Sequence, residues 1–444
     1  MSRLRILVLG PECHPTRVSI PFVTYSHAAA LAQLHDVTLV AGAQVEDDLR
    51  RANAPFRAIE VVRMPTLLQK IKDSLLRRVR PDSQIKTAFG YPFAIAFEWQ
   101  AWRQLRGRIA AREFDVVLRV YPMSAVVPSP FARFLRNGPI PFVIGPINGG
   151  LPWPSGFRQI DKQRTWIAGF RSLYKFMPFA RSTYRHAAAI IAASSQICSE
   201  FAQYRDKLFF IPEPGIDRSA CSDDSRRLDA AGPLQLIFVG GLIPLKACDL
   251  ALRGAAPLLR SGLARYTVVG DGPERQMLEQ LTTSLGINHT VTFTGWVSQA
   301  EVFNRLRSAE VLLFPSLKEN GGGVVFQALA SGAVPVVVDF GGPGDIVHRD
   351  VGYKVPLTNE SDIVAQIEGI LTELANNRDL LGRLRRNGMT YARERLTWDA
   401  KAAATTEVLN WVVNRAPKPT LHPPKMVHGA DRLEPEPALV QARS

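Results

Sequence analysis

The stretch 314–347, FPSLKENGGGVVFQALASGAVPVVVDFGGPGDIV, constrains the fold more than any other part of the chain. The apolar run 311–314 leads into it as a buried strand, and Pro315 turns that strand into a loop. The loop carries Glu319 and Asn320 and then three glycines, Gly321, Gly322 and Gly323. Apolar residues recur at helical spacing over 324–330, Gly332 closes the helix, and 336–338 reads as the next strand. A second glycine turn, 341–344, precedes Asp345 and another helix start. A strand that feeds a glycine loop and then a helix leaves bare backbone N–H groups at the helix N-terminus, where an anion is favoured. Glycine suits that loop because a Cβ would block close approach and because positive φ costs it little. Glu319 in the loop and Gln327 in the helix can both face one ligand over the helix start. A ligand with a phosphate end and hydroxyl-rich parts fits such a frame, and a nucleotide-sugar has both.

The chain around this stretch is long enough for two domains, at 444 residues. Its strands alternate with helices. In the first half they are expected at 4–9, 36–41, 57–63, 114–120, 140–145, 188–193 and 207–211, with a loop over 10–25 before a helix near 26–34. Ser194 and Ser195 stand where they would cap the helix after the sixth strand. Residues 212–233, rich in Pro, Gly, Ser and Asp, read as the domain boundary, and 234–239 opens a second alternating domain. After Val355 the chain is expected to be helical, and the Pro-rich, charged tail 417–444 is expected to lack fixed structure. This alternation implies an α/β chain of two parallel, doubly wound sheets with ligands at the strand carboxyl ends. The first loop has no Gly-x-Gly-x-x-Gly, which disfavours a nicotinamide dehydrogenase.

The four cysteines, Cys13, Cys198, Cys221 and Cys248, are scattered without metal-ligand spacing and suit a reducing compartment. The amino terminus reads as a first strand rather than a signal peptide, and no stretch has the length of a transmembrane helix. A cytoplasmic protein is expected. The net charge of +14 calls for a polyanionic neighbour. Zinc-finger spacing and RNA-recognition signatures are absent, so no nucleic-acid partner is expected. Residues 67–86, LLQKIKDSLLRRVRPDSQIK, read up to Arg80 either as a basic amphipathic helix for an anionic membrane surface or as a helix packed on its own domain. The basic-aromatic stretch 164–185 adds to the membrane reading.

At the residues of its opening stretch the chain resembles the family 4 retaining glycosyltransferases of the GT-B fold. Their signature is a Glu, seven residues, a second Glu, and then Ala-x-Gly-x-Pro-Val-Val. Here Glu319 fills the first position, Gln327 replaces the second Glu, and 330–337 reads ASGAVPVV, one residue longer between Gly and Pro. The family's Gly-Arg-Leu and Lys-Gly pattern corresponds to Gly240-Gly241-Leu242 and Lys246, so Gly241 stands where an Arg is expected. The strand-ending turns 268–273, with Gly270, and 292–297, with Trp296 and Val297, follow in the family's order. The resemblance implies two Rossmann-like domains, 1–211 and 234–397, facing across a cleft, with 398–416 crossing back to the first.

It also implies a metal-independent, cofactor-free transfer of a hexosyl group from a nucleoside diphosphate sugar to a glycan or lipid-linked acceptor, as in exopolysaccharide or lipopolysaccharide synthesis on the inner face of a cell membrane. Glu319 would hold the donor sugar, Lys246 and the amides of Gly321, Gly322 and Gly323 the diphosphate, Gln327 the ribose, and the backbone of Trp296 and Val297 the base. Asn320, Val324, Gly240, Gly241 and Gly270 would complete the donor site. The first-loop glycine pair of the family corresponds to Ser19-Ile20-Pro21-Phe22-Val23 here, and its strand-end His to Leu118. On the acceptor side the candidates are His14, Tyr25, Arg119, Asn148, Gly149 and Trp153, with His27 beside them. The loop 145–154, GPINGGLPWP, also reads as a rigid Pro-Gly loop with a buried Trp. Two rivals stand beside the transferase: a nucleotide-sugar epimerase of the same fold, and a non-catalytic scaffold, which the departures at Leu118, Gly241 and Gln327 would suit.

Overall fold

The computed structural model describes residues 3–17, 19–66, 68, 70, 71, 74, 84–154, 157, 177–221 and 232–421. Most of the basic stretch 67–86, much of 164–185 and the tail beyond 421 lie outside them.

Seven short apolar runs form a first sheet: β1 (Arg5–Leu9), β2 (Asp36–Gly42), β3 (Ala58–Val62), β4 (Val116–Arg119), β5 (Phe142–Ile147), β6 (Ala189–Ala192) and β7 (Leu208–Phe210). They lie in the order β3-β2-β1-β4-β5-β6-β7, every pair parallel. Six more form a second sheet: β8 (Leu234–Val239), β9 (Ala264–Val269), β10 (Val291–Gly295), β11 (Val311–Phe314), β12 (Val334–Val338) and β13 (Tyr353–Val355). Their order is β10-β9-β8-β11-β12-β13, again all parallel. Strands buried on both faces carry unbroken Val, Ile and Leu runs because helices cover each side. The order reverses between β1 and β4 in the first sheet and between β8 and β11 in the second. Such reversals open a crevice at the strand carboxyl ends, where ligands bind in doubly wound folds.

Several expected boundaries move. The first helix is Ile20–Leu34, so the segment 19–23 opens the helix instead of lying in a loop. Pro21 in its first turn fits, because the missing N–H is one that no helix start uses. Gly341 and its neighbours do not precede a helix but form one, Gly341–Ile346. The short strand β13 has no counterpart among the expected strands, since its three residues give too little period to read.

The carboxyl-terminal helix Trp398–Asn414, capped by Thr397 through the Ala400 N–H at 3.2 Å, packs on the first lobe. Its Trp398, Ala402, Val408 and Leu409 share a core with β1, β2 and the helix Ile20–Leu34. Two buried imidazoles join the helices: His27 Nε2 lies 3.0 Å from Thr405 Oγ1, and His35 Nε2 lies 2.8 Å from Thr406 Oγ1. Residues 417–421, expected without fixed structure, run along β7, where Phe210 N–H donates to the Leu421 carbonyl at 2.8 Å. Lys418 Nζ sits 5.5 Å from the Phe209 ring centre, which holds the segment down.

Candidate functional site

The crevice at β8 and β11 gathers the donor-side candidates. The β8 loop passes through Gly240 and Gly241 into a single turn, Pro244–Lys246, and the β11 loop carries Glu319. Lys246 Nζ pairs with Glu319 Oε2 and stands 5.1 Å from the Phe314 ring centre. The other Glu319 oxygen accepts the Gly322 N–H at 3.3 Å, and the Glu319 carbonyl accepts the Gly342 N–H at 2.9 Å. Both glycine turns therefore close on Glu319. A Cβ on Gly341 would meet that carbonyl at 2.2 Å, so the second turn cannot carry a side chain at this position.

The helix Gly323–Ser331 starts at Gly322, which holds a left-handed φ of 68°. Pro214 covers Gly321, and Pro343 covers Gly322. Gly323 faces open space. The Gly323 and Val324 N–H groups have no acceptor among the described residues. Bare helix-start amides next to a lysine favour an anion at this end of the crevice. Gln327 lies one helical turn beyond Gly323, half-buried, and Asn320 is exposed.

The ends of β8, β9 and β10 are stacked. Gly240 N–H donates to the Val269 carbonyl at 3.0 Å, and Gly270 N–H to the Gly295 carbonyl at 3.0 Å. Gly270 takes a φ of 132°, and a Cβ there would lie 2.0 Å from the Gly240 carbonyl. Next in line, Trp296 is 72% exposed and Val297 is half-buried. A Cβ on Gly241 would meet nothing within 4 Å, so an Arg would fit where the chain lacks one.

The first-lobe candidates divide. Arg119 is corrected: it is buried in the core, its guanidinium 3.1 Å from Glu98 and donating to the Val127 carbonyl at 2.8 Å. A charge so committed is not offered to a phosphate. His14 is also corrected. Its Nε2 lies 2.9 Å from Asp48, and its Nδ1 accepts the Thr16 and Arg17 N–H groups at 3.2 and 3.0 Å, so it organises the first loop. His27 belongs to the helix junction. Burial, then the Lys401 charge, push its pKa well below the usual range. Tyr25 lies edge-on to Phe56, with ring centres 6.1 Å apart.

Asn148 reaches Glu213 in the linker and Trp153 reaches the second lobe, while Gly149 faces open space. Asn148 Oδ1 accepts the Gly149 N–H at 2.7 Å. Trp153 packs on the second core beneath Lys318, whose Nζ is 3.7 Å from the ring centre. That cation takes one face of the indole, which a sugar would otherwise need.

Sequence reasoning missed three residues here. Glu213, just after β7, receives the Asn148 side-chain amide on its carboxylate and the Lys401 ammonium on its backbone carbonyl. Lys401 is buried in the terminal helix, close enough to Glu213 and His27 to act on both. Asp345 Oδ2 accepts the Ser195 N–H at 2.8 Å, joining the second glycine turn to the helix Ser195–Glu200 of the first lobe. Only the proline-rich setting of Glu213 was legible. Its partners lie 65 and 188 residues away. Among the described residues no group of three His, Cys, Asp or Glu side chains could hold a metal ion, and no helix is long and apolar enough to cross a membrane.

Known proteins share parts of this architecture. Residues 223–389 match the family described as glycosyl transferases group 1. A D-inositol 3-phosphate glycosyltransferase of Streptomyces coelicolor is 34% identical over 214 residues, 45% of this chain and 45% of that protein. An uncharacterised glycosyltransferase of Methanocaldococcus jannaschii is 28% identical over 174 residues, 39% of this chain and 44% of that one. The matches thus span about half the length of these relatives or less. Among solved structures, Anabaena HepE in complex with UDP superposes with a TM-score of 0.59 at 16% identity, covering 92% of this chain and 100% of that one. Sucrose-phosphate synthase from Thermosynechococcus elongatus gives 0.59 at 15% identity, covering 93% and 100%. The fold of the chain is therefore GT-B, and its second lobe is similar over residues 223–389 to the group 1 glycosyl transferases.

Proposed function

We propose that the chain transfers a sugar, with retention at the anomeric carbon and without a metal, from a nucleoside diphosphate sugar to a glycan or lipid-linked acceptor in polysaccharide synthesis. The observation that carries this reading is the Lys246–Glu319 pair beside two open helix-start amides at a topological switch point. The leaving diphosphate gains charge as the glycosidic bond breaks. Lys246 and the Gly323 and Val324 amides are arranged to stabilise that charge, a term of roughly 3 kcal/mol per preorganised donor. Glu319, released from Lys246 when the diphosphate takes the lysine, would hold the sugar hydroxyls. Gln327 would hold the ribose, since an amide can both donate and accept. Similar folds that hold UDP or UDP-glucose, and a lipopolysaccharide outer core galactosyltransferase with a TM-score of 0.56, support the donor class and the pathway.

The acceptor side of this reading includes an anionic membrane on its cytoplasmic face. Trp99 is 46% exposed, 5.3 Å from the Phe134 ring centre, with Arg103 and Arg106 following at one-turn steps on the helix Gln84–Ala110. Arg133, Arg136 and Arg185 crowd His186, whose pKa is lowered first by burial and then by these cations. An exposed indole ringed by arginines suits a headgroup boundary. Cosedimentation with phosphatidylglycerol vesicles but not phosphatidylcholine vesicles, lost in Trp99→Ala, is the expected result. Equal binding to both would remove the membrane from the reading.

Calorimetry with UDP and GDP, followed by a screen of their sugars for turnover, tests the transferase itself. Binding to one of them and loss of about a hundredfold in turnover for Glu319→Ala are expected. Full turnover in that variant would remove Glu319 from the mechanism. An isomerised sugar formed without acceptor would make the chain an epimerase.

A further inference from the structure

We propose that Glu213 is a catalytic residue that accepts the proton of the incoming hydroxyl. The proposal rests on the transferase reading above and adds a residue to it. Its basis is position. Lys246 and the Gly323 and Val324 amides mark the diphosphate end of the crevice, and Glu319 marks the sugar end. The Glu213 carboxylate lies at that sugar end, with Oε2 3.7 Å from where a Cβ on Gly321 would stand. The same oxygen accepts the side-chain amide of Asn148, from the end of β5 in the first lobe, so the Oε1 oxygen is the one left to take a proton. Glu213 is thus a carboxylate between the two lobes at the sugar end, where an acceptor held by the first must approach a sugar held by the second.

Its electrostatic setting fits the task. Glu319 is paired with Lys246 here and is assigned to the sugar hydroxyls once the donor is bound, so it is not free to take the proton. The cation nearest Glu213, Lys401, is bonded to the Glu213 backbone carbonyl and not to its carboxylate. Burial, and then the negative Glu319, raise the Glu213 pKa, against the lowering effect of Lys401. A carboxylate raised in this way is a better proton acceptor than an ordinary one. In the step, the acceptor oxygen bonds to the anomeric carbon on the same face from which the diphosphate departs, as the bond from that carbon to the diphosphate oxygen breaks, which keeps the configuration. The bonding pair leaves with the diphosphate, and the hydroxyl proton passes to Glu213 and then to solvent. Two crossings hold Glu213 in place. Ile216 N–H donates to the Leu396 carbonyl at 3.1 Å, and Trp398 N–H to the Ile216 carbonyl at 3.0 Å, so the linker is stitched to the terminal helix.

The test uses the full chain, a panel of UDP-glucose, UDP-galactose, UDP-N-acetylglucosamine and GDP-mannose, and water as the incoming hydroxyl, with released nucleoside diphosphate as the readout. At saturating donor, the wild-type rate is expected to rise with pH above the ordinary carboxylate range. Glu213→Gln, which can still accept the Asn148 amide, is expected to be about a hundredfold slower or more and to lose that rise. Glu213→Asp is expected to keep the rise, and calorimetry should find UDP or GDP affinity in both variants within about twofold of wild type. A Gln variant within about threefold of the wild-type rate, or with an unchanged pH rise, overturns the proposal. So does a wild-type rate that is flat from about pH 5.5 to 8.5, or a wild type that binds nucleotide but cleaves no donor. Failure of the wild type to bind either nucleotide would instead bring down the transferase reading itself.

Discussion

Single residues decide how the donor crevice is built. Gly270 is the tightest: its positive φ and the Gly240 carbonyl 2.0 Å from its would-be Cβ leave a methyl no room. Gly270→Ala is expected to cost about 1–3 kcal/mol, read as a fall in melting temperature, and to weaken UDP binding because the β8 loop must move. Gly241 is the opposite case, with open space around it. Gly241→Arg should leave stability within about 0.5 kcal/mol of wild type. It should also tighten nucleotide diphosphate binding about tenfold, the scale of one charge-assisted hydrogen bond. A calorimetric titration checks both. Lys246→Ala should weaken the same binding by about tenfold or more, since Glu319 then faces the diphosphate uncompensated. The place of Glu319 and Lys246 beside the crevice was legible because a motif puts them after strand ends. Arg119 was not legible as a core residue, because nothing in the strand itself shows that Glu98, 21 residues back on the preceding helix, waits for it.

At the scale of elements, the terminal helix is the informative case. Its hydrophobic spacing announces a helix, yet its docking depends on His27 and His35 meeting Thr405 and Thr406. Burial lowers both imidazole pKa values, helped by Lys401 at His27 and by Arg3 at His35, with Asp36 opposing at His35. The folded state therefore prefers both rings neutral. The stability they contribute is present above the ordinary histidine pKa of 6.5 and is lost as pH falls below it, because the unfolded chain takes up the protons first. The melting temperature is expected to drop between about pH 7 and pH 5, and His27→Gln should flatten that drop. The same logic explains the moved start of the helix Ile20–Leu34. Its early turns pack on Trp398, with Phe22 6.4 Å away ring to ring, so the terminal helix draws the segment into helix. Local composition carries no trace of that partner.

For the whole molecule, what matters is how the lobes face one another. Asp345 and the Ser195 N–H form a bond between them, at the start of the helix Ser195–Glu200. Burial raises the Asp345 pKa, while the Ser195 hydrogen bonds favour its charged form. Asp345→Ala is expected to enlarge the radius of gyration in solution scattering and to lower turnover, while UDP affinity stays within about threefold. A variant with unchanged scattering and turnover would show that other contacts, such as Leu151 against Gly341, hold the lobes alone.

The sequence by itself determined the parallel sheets, the glycine loop at the β11 end and the place of Glu319 within it. Those follow from local periodicity and from backbone geometry that only glycine tolerates, while Lys246 stood out through the pattern it shares with a known family. Tertiary structure alone decided that Arg119 and His14 serve the framework, that 417–421 lies on β7, and that Glu213, Asn148 and Lys401 meet between the lobes. Such pairings join residues tens to hundreds of positions apart. They are set by which surfaces the two lobes bury against each other, and that information is spread over the whole chain instead of residing in any one stretch.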